Sequence, residues 1–232
     1  MLQMNVRLLE NMHTVNDDEM PNWVSLSKII EQKNPLNLEL SQTHNSVKAK
    51  IAFADYHYHI LNQFYVPHAT LRQTDTDQWV LAEIHSVITS LYSALDSLMY
   101  EVNLAYNFWL NISQINIHHQ HTKASNDCIR CRIDNVNDNL TTYLNHELSQ
   151  DWFNIFRKLR NQITHKNIPI LNIAVNDTTH IMIPNDPTNT NPQYSDYSKG
   201  LEINTLCQEY RNNIIPIIEK TYKIIHDRIV AL

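Results

Sequence analysis

Apolar residues recur along most of the chain at alternating spacings of three and four, the mark of helices that bury one face. The clearest run is Val80, Ile84, Val87, Leu91, Leu95, Leu98, Val102, Ala105 and Trp109, which predicts one long helix from about Asp77 to Leu110. Before it, Val47, Ile51, Ala54, Tyr58, Leu61 and Tyr65 mark a second helix, ended or kinked by Pro67, and Thr74, Asp75 and Thr76 are available to cap the long one. Trp152, Phe156, Leu159 and Ile163 share a face of a third, over Glu147 to Lys166, stopped by Asn167 and Pro169. A last helix runs from about Leu201 to Ile229 on the stripe Ile203, Cys207, Tyr210, Ile214, Ile217, Tyr222, Ile225 and Ile229, with Pro216 expected to bend it. A shorter amphipathic helix is expected at "NWVSLSKIIEQ", closed by Pro35.

Two stretches break the helical period. Residues 111–142 are rich in Asn, His and Asp with no sustained repeat, and are expected as a long polar excursion. Within 168–200, Leu171, Ile173 and Val175 alternate with polar or small residues and Ile181 and Ile183 resume the alternation, which predicts a small β-hairpin insert and then a loop. Four long helices with one apolar face each have one economical packing. The expected fold is therefore all-α, an up-and-down four-helix bundle over 44–232 with an N-terminal extension, 1–43, and the hairpin insert. Beside the stripe of the longest helix lie Ser86, Ser90, Ser93 and Ser97, small residues that let a neighbouring helix approach; packing within the chain is favoured over a subunit interface.

Composition narrows the chemistry. Gly200 is the only glycine, so dinucleotide-binding turns, phosphate loops and nucleophile elbows lack the residue they need. A net charge of −6 argues against a surface coated for non-specific nucleic-acid binding and leaves room for a local basic pocket. No apolar run approaches membrane-spanning length, the first residues do not read as a signal peptide, and three cysteines fit a reducing compartment; a cytoplasmic protein is expected.

That local pocket has one strong candidate, the segment "KLRNQITHK". Arg160 and His165 lie five apart and so are rotated by roughly 140° on an ideal helix, whereas Asn161 and His165 share a face. Arg160 flanks the apolar stripe and His165 points away from it. Convergence on one small group then needs an unwound last turn or a second copy of the segment from another subunit. The residue types suit metal-free phosphoryl transfer: a histidine moves protons near neutrality, and an arginine fork holds two phosphate oxygens. Arg157, Lys158 and Lys166 make the surroundings basic. The plain alternative is a helix C-terminus capped electrostatically by His and Lys.

The motif Arg160-Asn161-x-x-x-His165 resembles the R-N-x-x-x-H signature of HEPN domains, and "LYSALDSLMYEVN" resembles the "SALD" helix of that family. The resemblance spans roughly Ser46 to Ile229 in architecture, with two short motifs as its specific part. It implies a homodimer and a metal-independent endoribonuclease in which Arg160 stabilises the transferring phosphate, His165 acts as general acid/base and Asn161 orients His165 or phosphate. Arg157, Lys158 and Lys166 would hold the RNA, and the reaction would be attack of a ribose 2′-hydroxyl on its own phosphate, with no cofactor. It also implies a competing possibility, a catalytically silent nucleotide-binding or protein-interaction module, since the family includes both.

Other constellations are weaker. His118, His119, His121, Cys128 and Cys131 offer zinc-ligand types at poor spacing, and two thiols in a solvated loop, with no bound metal, is the expected arrangement. The run "DNVNDN" fails as a calcium loop at its third and glycine positions. Asp96 and Glu101, five apart on the long helix, could bound the cleft but are expected to be solvated, and a Ser93–His165 hydrolase lacks an oxyanion turn.

Overall fold

A computed structural model describes residues 17–33, 38–65, 74–111, 114–115, 128–136, 139–165, 170–173, 179–182 and 201–231. The body is helical. Its helices are α1 (Pro21–Lys33), α2 (Leu38–Ile60), α3 (Thr74–Ala105), α4 (Ile129–Val136), α5 (Asn139–Leu148), α6 (Asp151–His165) and α7 (Ile203–Ala231). A 3-10 turn, Asp17–Glu19, precedes α1, and α2 runs on into a π turn, Leu61–Tyr65. Strands β1 (Ile170–Ile173), β2 (Thr179–Met182) and β3 (Leu201–Glu202) form one antiparallel sheet in that order, with Ile170 opposite Met182 and Ile181 opposite both Leu171 and Leu201. β3 leads directly into α7, so the sheet bridges the chain between the end of α6 and the start of the last helix.

The period-3.6 stripes become the core. α2 lies along α3, and α7 packs on both α1 and α3. Val47, Ile51 and Ala54 of α2 meet Val80, Ile84, Val87, Leu91, Leu95 and Leu98 of α3, and Tyr210, Ile214, Ile217 and Ile225 close the core from α7. α6 is held by Phe156, whose ring sits 5.6 Å from Tyr92 of α3 and 4.6 Å from Tyr210 of α7. Fully burying such a side chain is worth about 1.5–3 kcal/mol, so Phe156 contributes strongly to fixing where α6 runs. Met20, Leu26 and Ile30, from the first forty residues, belong to the same core.

Charged side chains tie the helices together at their rims. Arg211 of α7 donates from Nε and Nη2 to both carboxylate oxygens of Asp55 on α2, at 2.6 and 3.0 Å, and from Nη2 to Glu19 at 2.7 Å. Those two carboxylates hold its guanidinium pKa above the ordinary arginine value. Glu219 of α7 accepts from the backbone N–H groups of Asn22 and Trp23 at 2.8 and 3.2 Å, and so caps the N-terminus of α1 from across the fold. Lys50 of α2 reaches the carbonyl of Ser93 and the hydroxyl of Ser97, which places α2 against that part of the serine row.

Several expectations from the sequence are corrected. The stretch 111–142 is not one irregular excursion: α4 lies in it and α5 begins in it, with Ile129, Ile133, Leu140 and Leu144 buried. Each helix is only two or three turns long and set among Asn and Asp, too short for a repeat to stand out. The helix expected from Glu147 starts instead at Asp151, because Ser149 and Gln150 turn the chain by bonding back to the carbonyls of His146 and Glu147. The longest helix stops at Ala105, short of the expected Leu110. Asn107 takes a positive φ of 54°, the Asn103 side chain accepts from the Leu110 N–H, and Trp109 is left 84 % exposed at φ 59° rather than continuing the stripe. Glu101 is 0 % exposed rather than solvated, and both thiols of the C-x-x-C are buried.

Candidate functional site

α6 sets out the candidate residues along one helix. Phe153, Phe156 and Leu159 are buried, so this face of the helix packs against α3, with Phe156 also reaching Tyr210 of α7 and Asp151 in the first turn. Arg160, one turn beyond Phe156, is half-buried on the edge of that apolar face, and Asn161 is exposed beside it. The Arg160 guanidinium lies over the Tyr92 ring, 4.9 Å from its centroid, and Nη1 donates to Asn161 Oδ1 at 3.1 Å. Its Nε is buried with no hydrogen-bond partner among the described residues. The stack on Tyr92 and the bond to Asn161 hold the planar fork in one orientation.

The Tyr92 hydroxyl is held in its neutral form. Burial pushes its pKa far above the ordinary value and the Asp96 charge adds to this, while Arg160 and Arg157 pull the other way. Asp96 also faces Lys50, whose ammonium pKa is lowered by burial and partly restored by that carboxylate. A line of alternating charge thus crosses from α2 through α3 to α6: Lys50, Asp96, then Arg157 and Arg160 around Tyr92. Lys50 carries no motif that singles it out in the sequence. Tyr92 lies within the segment "LYSALDSLMYEVN", four after Ile88 and three before Leu95, on the buried face of α3, but nothing in that segment points to Arg160.

Of the candidates named from the sequence, Arg157, Lys158, Arg160 and Asn161 all lie on α6, with Arg157 half-buried and Lys158 exposed. His165 is the last residue of that helix; its side chain, and Lys166 entirely, lie outside the described residues. So do His118, His119 and His121, and no group of three His, Cys, Asp or Glu side chains among the described residues is placed to hold a metal ion. No helix among the described residues is long and apolar enough to cross a membrane.

A second polar cluster, which no sequence motif announces, lies where α1, α2, α3 and α7 meet. His44, 2 % exposed, donates from Nδ1 to Glu101 Oε1 at 2.7 Å, and the Tyr222 hydroxyl donates to Glu101 Oε2 at 3.0 Å. On its other side His44 Nε2 lies 2.8 Å from the Ser27 hydroxyl and 3.1 Å from the Trp23 carbonyl, while the Trp23 indole stacks on the imidazole at 4.7 Å and donates to the His44 carbonyl. The serine–histidine–carboxylate order resembles a hydrolase relay. Here, though, the hydroxyl is within a helix and also bonded back to the Trp23 carbonyl, and the imidazole is covered by indole. The cluster is a closed joint between four helices.

Compared with known proteins, the chain matches no family model, no curated protein and no solved structure.

Proposed function

We propose that the protein is a metal-independent ribonuclease of HEPN type, a cytoplasmic four-helix bundle with an N-terminal extension and a hairpin insert. In this reading it acts as a homodimer whose two copies of the α6 end meet in one cleft. One observation carries the reading. The R-N-x-x-x-H segment occupies the end of a helix pinned by Phe156, with Arg160 oriented by Tyr92 and still holding an unmet donor beside the exposed Asn161. In this mechanism Arg160, with Arg157, Lys158 and Lys166 around it, holds the phosphate oxygens as negative charge grows on them. His165 takes the proton from the ribose 2′-hydroxyl or returns one to the departing 5′-oxygen, and Asn161 orients the arginine or the histidine. The nucleophile comes from the RNA itself, so no cofactor enters.

A silent binding module is the second reading, and the same stack favours it: a guanidinium lying on a tyrosine ring also does structural work between α3 and α6. Cleavage of end-labelled single-stranded RNA separates the two. The first reading requires cutting that survives chelator and stops when the ribose at the cut carries hydrogen in place of its 2′-hydroxyl. It also requires that His165→Ala and Arg160→Ala each slow cutting by about 10² or more. Absence of cleavage by clean dimer across varied RNAs establishes the silent module, and a monomer at micromolar concentration counts against a shared cleft.

A further inference from the structure

The C-x-x-C at the start of α4 is not the solvated pair expected from the sequence. Cys128 is the residue before the helix and Cys131 lies in its first turn, both only 3 % exposed. Their sulfurs lie side by side, and no disulfide joins them. Residues three apart on a helix have Cα atoms about 5 Å from one another, inside the range a disulfide spans. The pair is also asymmetric. The Cys131 backbone N–H donates to Cys128 Sγ at 3.3 Å, so a backbone donor of the first helical turn is aimed at the Cys128 sulfur. The Cys131 thiol is pushed up by burial and by contact with Cys128, with a smaller push from Asp134.

We propose that Cys128 and Cys131 form a redox-reactive dithiol that closes to a disulfide by exchange with a small-molecule disulfide such as oxidised glutathione, Cys128 attacking first. The Cys128 thiolate attacks one glutathione sulfur, forming a mixed disulfide and releasing one glutathione thiolate, which takes up a proton. Cys131 then gives up its proton and attacks Cys128 Sγ, releasing the second glutathione as its thiol. In sum, two protein thiols are oxidised to one disulfide while one glutathione disulfide is reduced to two thiols. Because both sulfurs are covered, the first attack waits for the start of α4 to open, and the exchange is slow in the native protein and faster in low urea. The bond formed staples the first turn of α4, whose second turn is already held by the Asn145 side chain of α5 bonding Asp134 at 3.0 Å.

The test equilibrates the folded chain in glutathione buffers of increasing oxidised fraction, then quenches with acid, unfolds, alkylates and weighs the intact protein. Three cysteines are present, so the reduced chain takes three alkyl groups and the closed chain takes one, on Cys207. Cys207→Ser should then take none in the oxidised state. Cys131→Ser should trap one glutathione on Cys128, and Cys128→Ser should acquire glutathione on Cys131 at least tenfold more slowly. The proposal falls if three alkyl groups persist in fully oxidised buffer or if wild-type chain keeps glutathione as a stable adduct. It also falls if oxidation links two chains instead of closing one, or if the two single variants react alike.

Discussion

Two polar clusters are set into this helical body, and they are finished in opposite ways. Around His44 every hydrogen-bonding atom of the imidazole and of the Glu101 carboxylate is taken by a neighbour, from four different helices. At the end of α6, Arg160 is held by a ring and by one amide, and a buried donor is left without a partner among the described residues. Closure of that kind costs freedom and fixes helix positions, whereas Arg160 is held by fewer bonds. Under the proposed reading the joint is a matter of stability and the α6 end a matter of binding or chemistry, and substitutions on each side test the division.

The largest effect on folding is expected at the joint. Glu101→Ala leaves His44 and the Tyr222 hydroxyl buried without their acceptor, and should cost about 3–5 kcal/mol in urea unfolding; Glu101→Gln, which keeps an acceptor, should cost clearly less. Equal losses for the two would mean that the carboxylate's bonds do not hold the joint. At the other cluster, Arg160→Ala removes one cation–ring contact and should lower stability by only about 1 kcal/mol while reducing RNA cleavage about a hundredfold. A loss of stability as large as that of Glu101→Ala would place Arg160 with the structural cluster and favour the silent module. Glu219→Ala, which uncaps α1, should cost a similar stability of about 1 kcal/mol but leave cleavage unchanged, read as faster amide exchange at Asn22 and Trp23.

The mildest prediction concerns alkaline pH. Burial raises the phenol pKa values of Tyr92, Tyr210 and Tyr222, and that of Tyr143 to about 12. Below the ordinary value near 10 the folded and unfolded chains both keep these protons, and the full stability is present. Above it the unfolded chain loses them first, so stability should fall steadily as pH climbs from about 10 towards 12. Tyr222→Phe should soften that fall, and the ultraviolet absorbance of the phenolate reports the ionisation directly.

How much of the molecule is legible in its sequence depends on whether burial is apolar. Stripes such as Val80 to Val102 and Tyr210 to Ile225 carry their helices plainly, because each buried position is hydrophobic and the next lies three or four residues on. α2 begins well before its legible part, at Leu38, because one of its buried slots is filled by His44, which reads as polar. Glu101 reads as a solvated residue for the same reason: its partners are 57 and 121 residues away, and no local pattern announces them. α4 and α5 are hidden by brevity and composition, and the end of α3 by the lack of a glycine, since Asn107 takes the left-handed turn in its place. At the candidate site the motif itself is legible on α6. What no spacing discloses is Tyr92, supplied by another helix, and with it the orientation of Arg160.

The cap on α1 has a consequence for the order of events in a growing chain. Asn22 and Trp23 receive their carboxylate from Glu219, so the N–H groups that open α1 do not have this partner until α7 has been made. During synthesis, α2 and α3 can pair as soon as both have emerged, whereas α1 waits for α7 to arrive and dock beside it. α1 emerges before the other long helices yet is then among the last to settle, and α7 acts as the latch that fixes it.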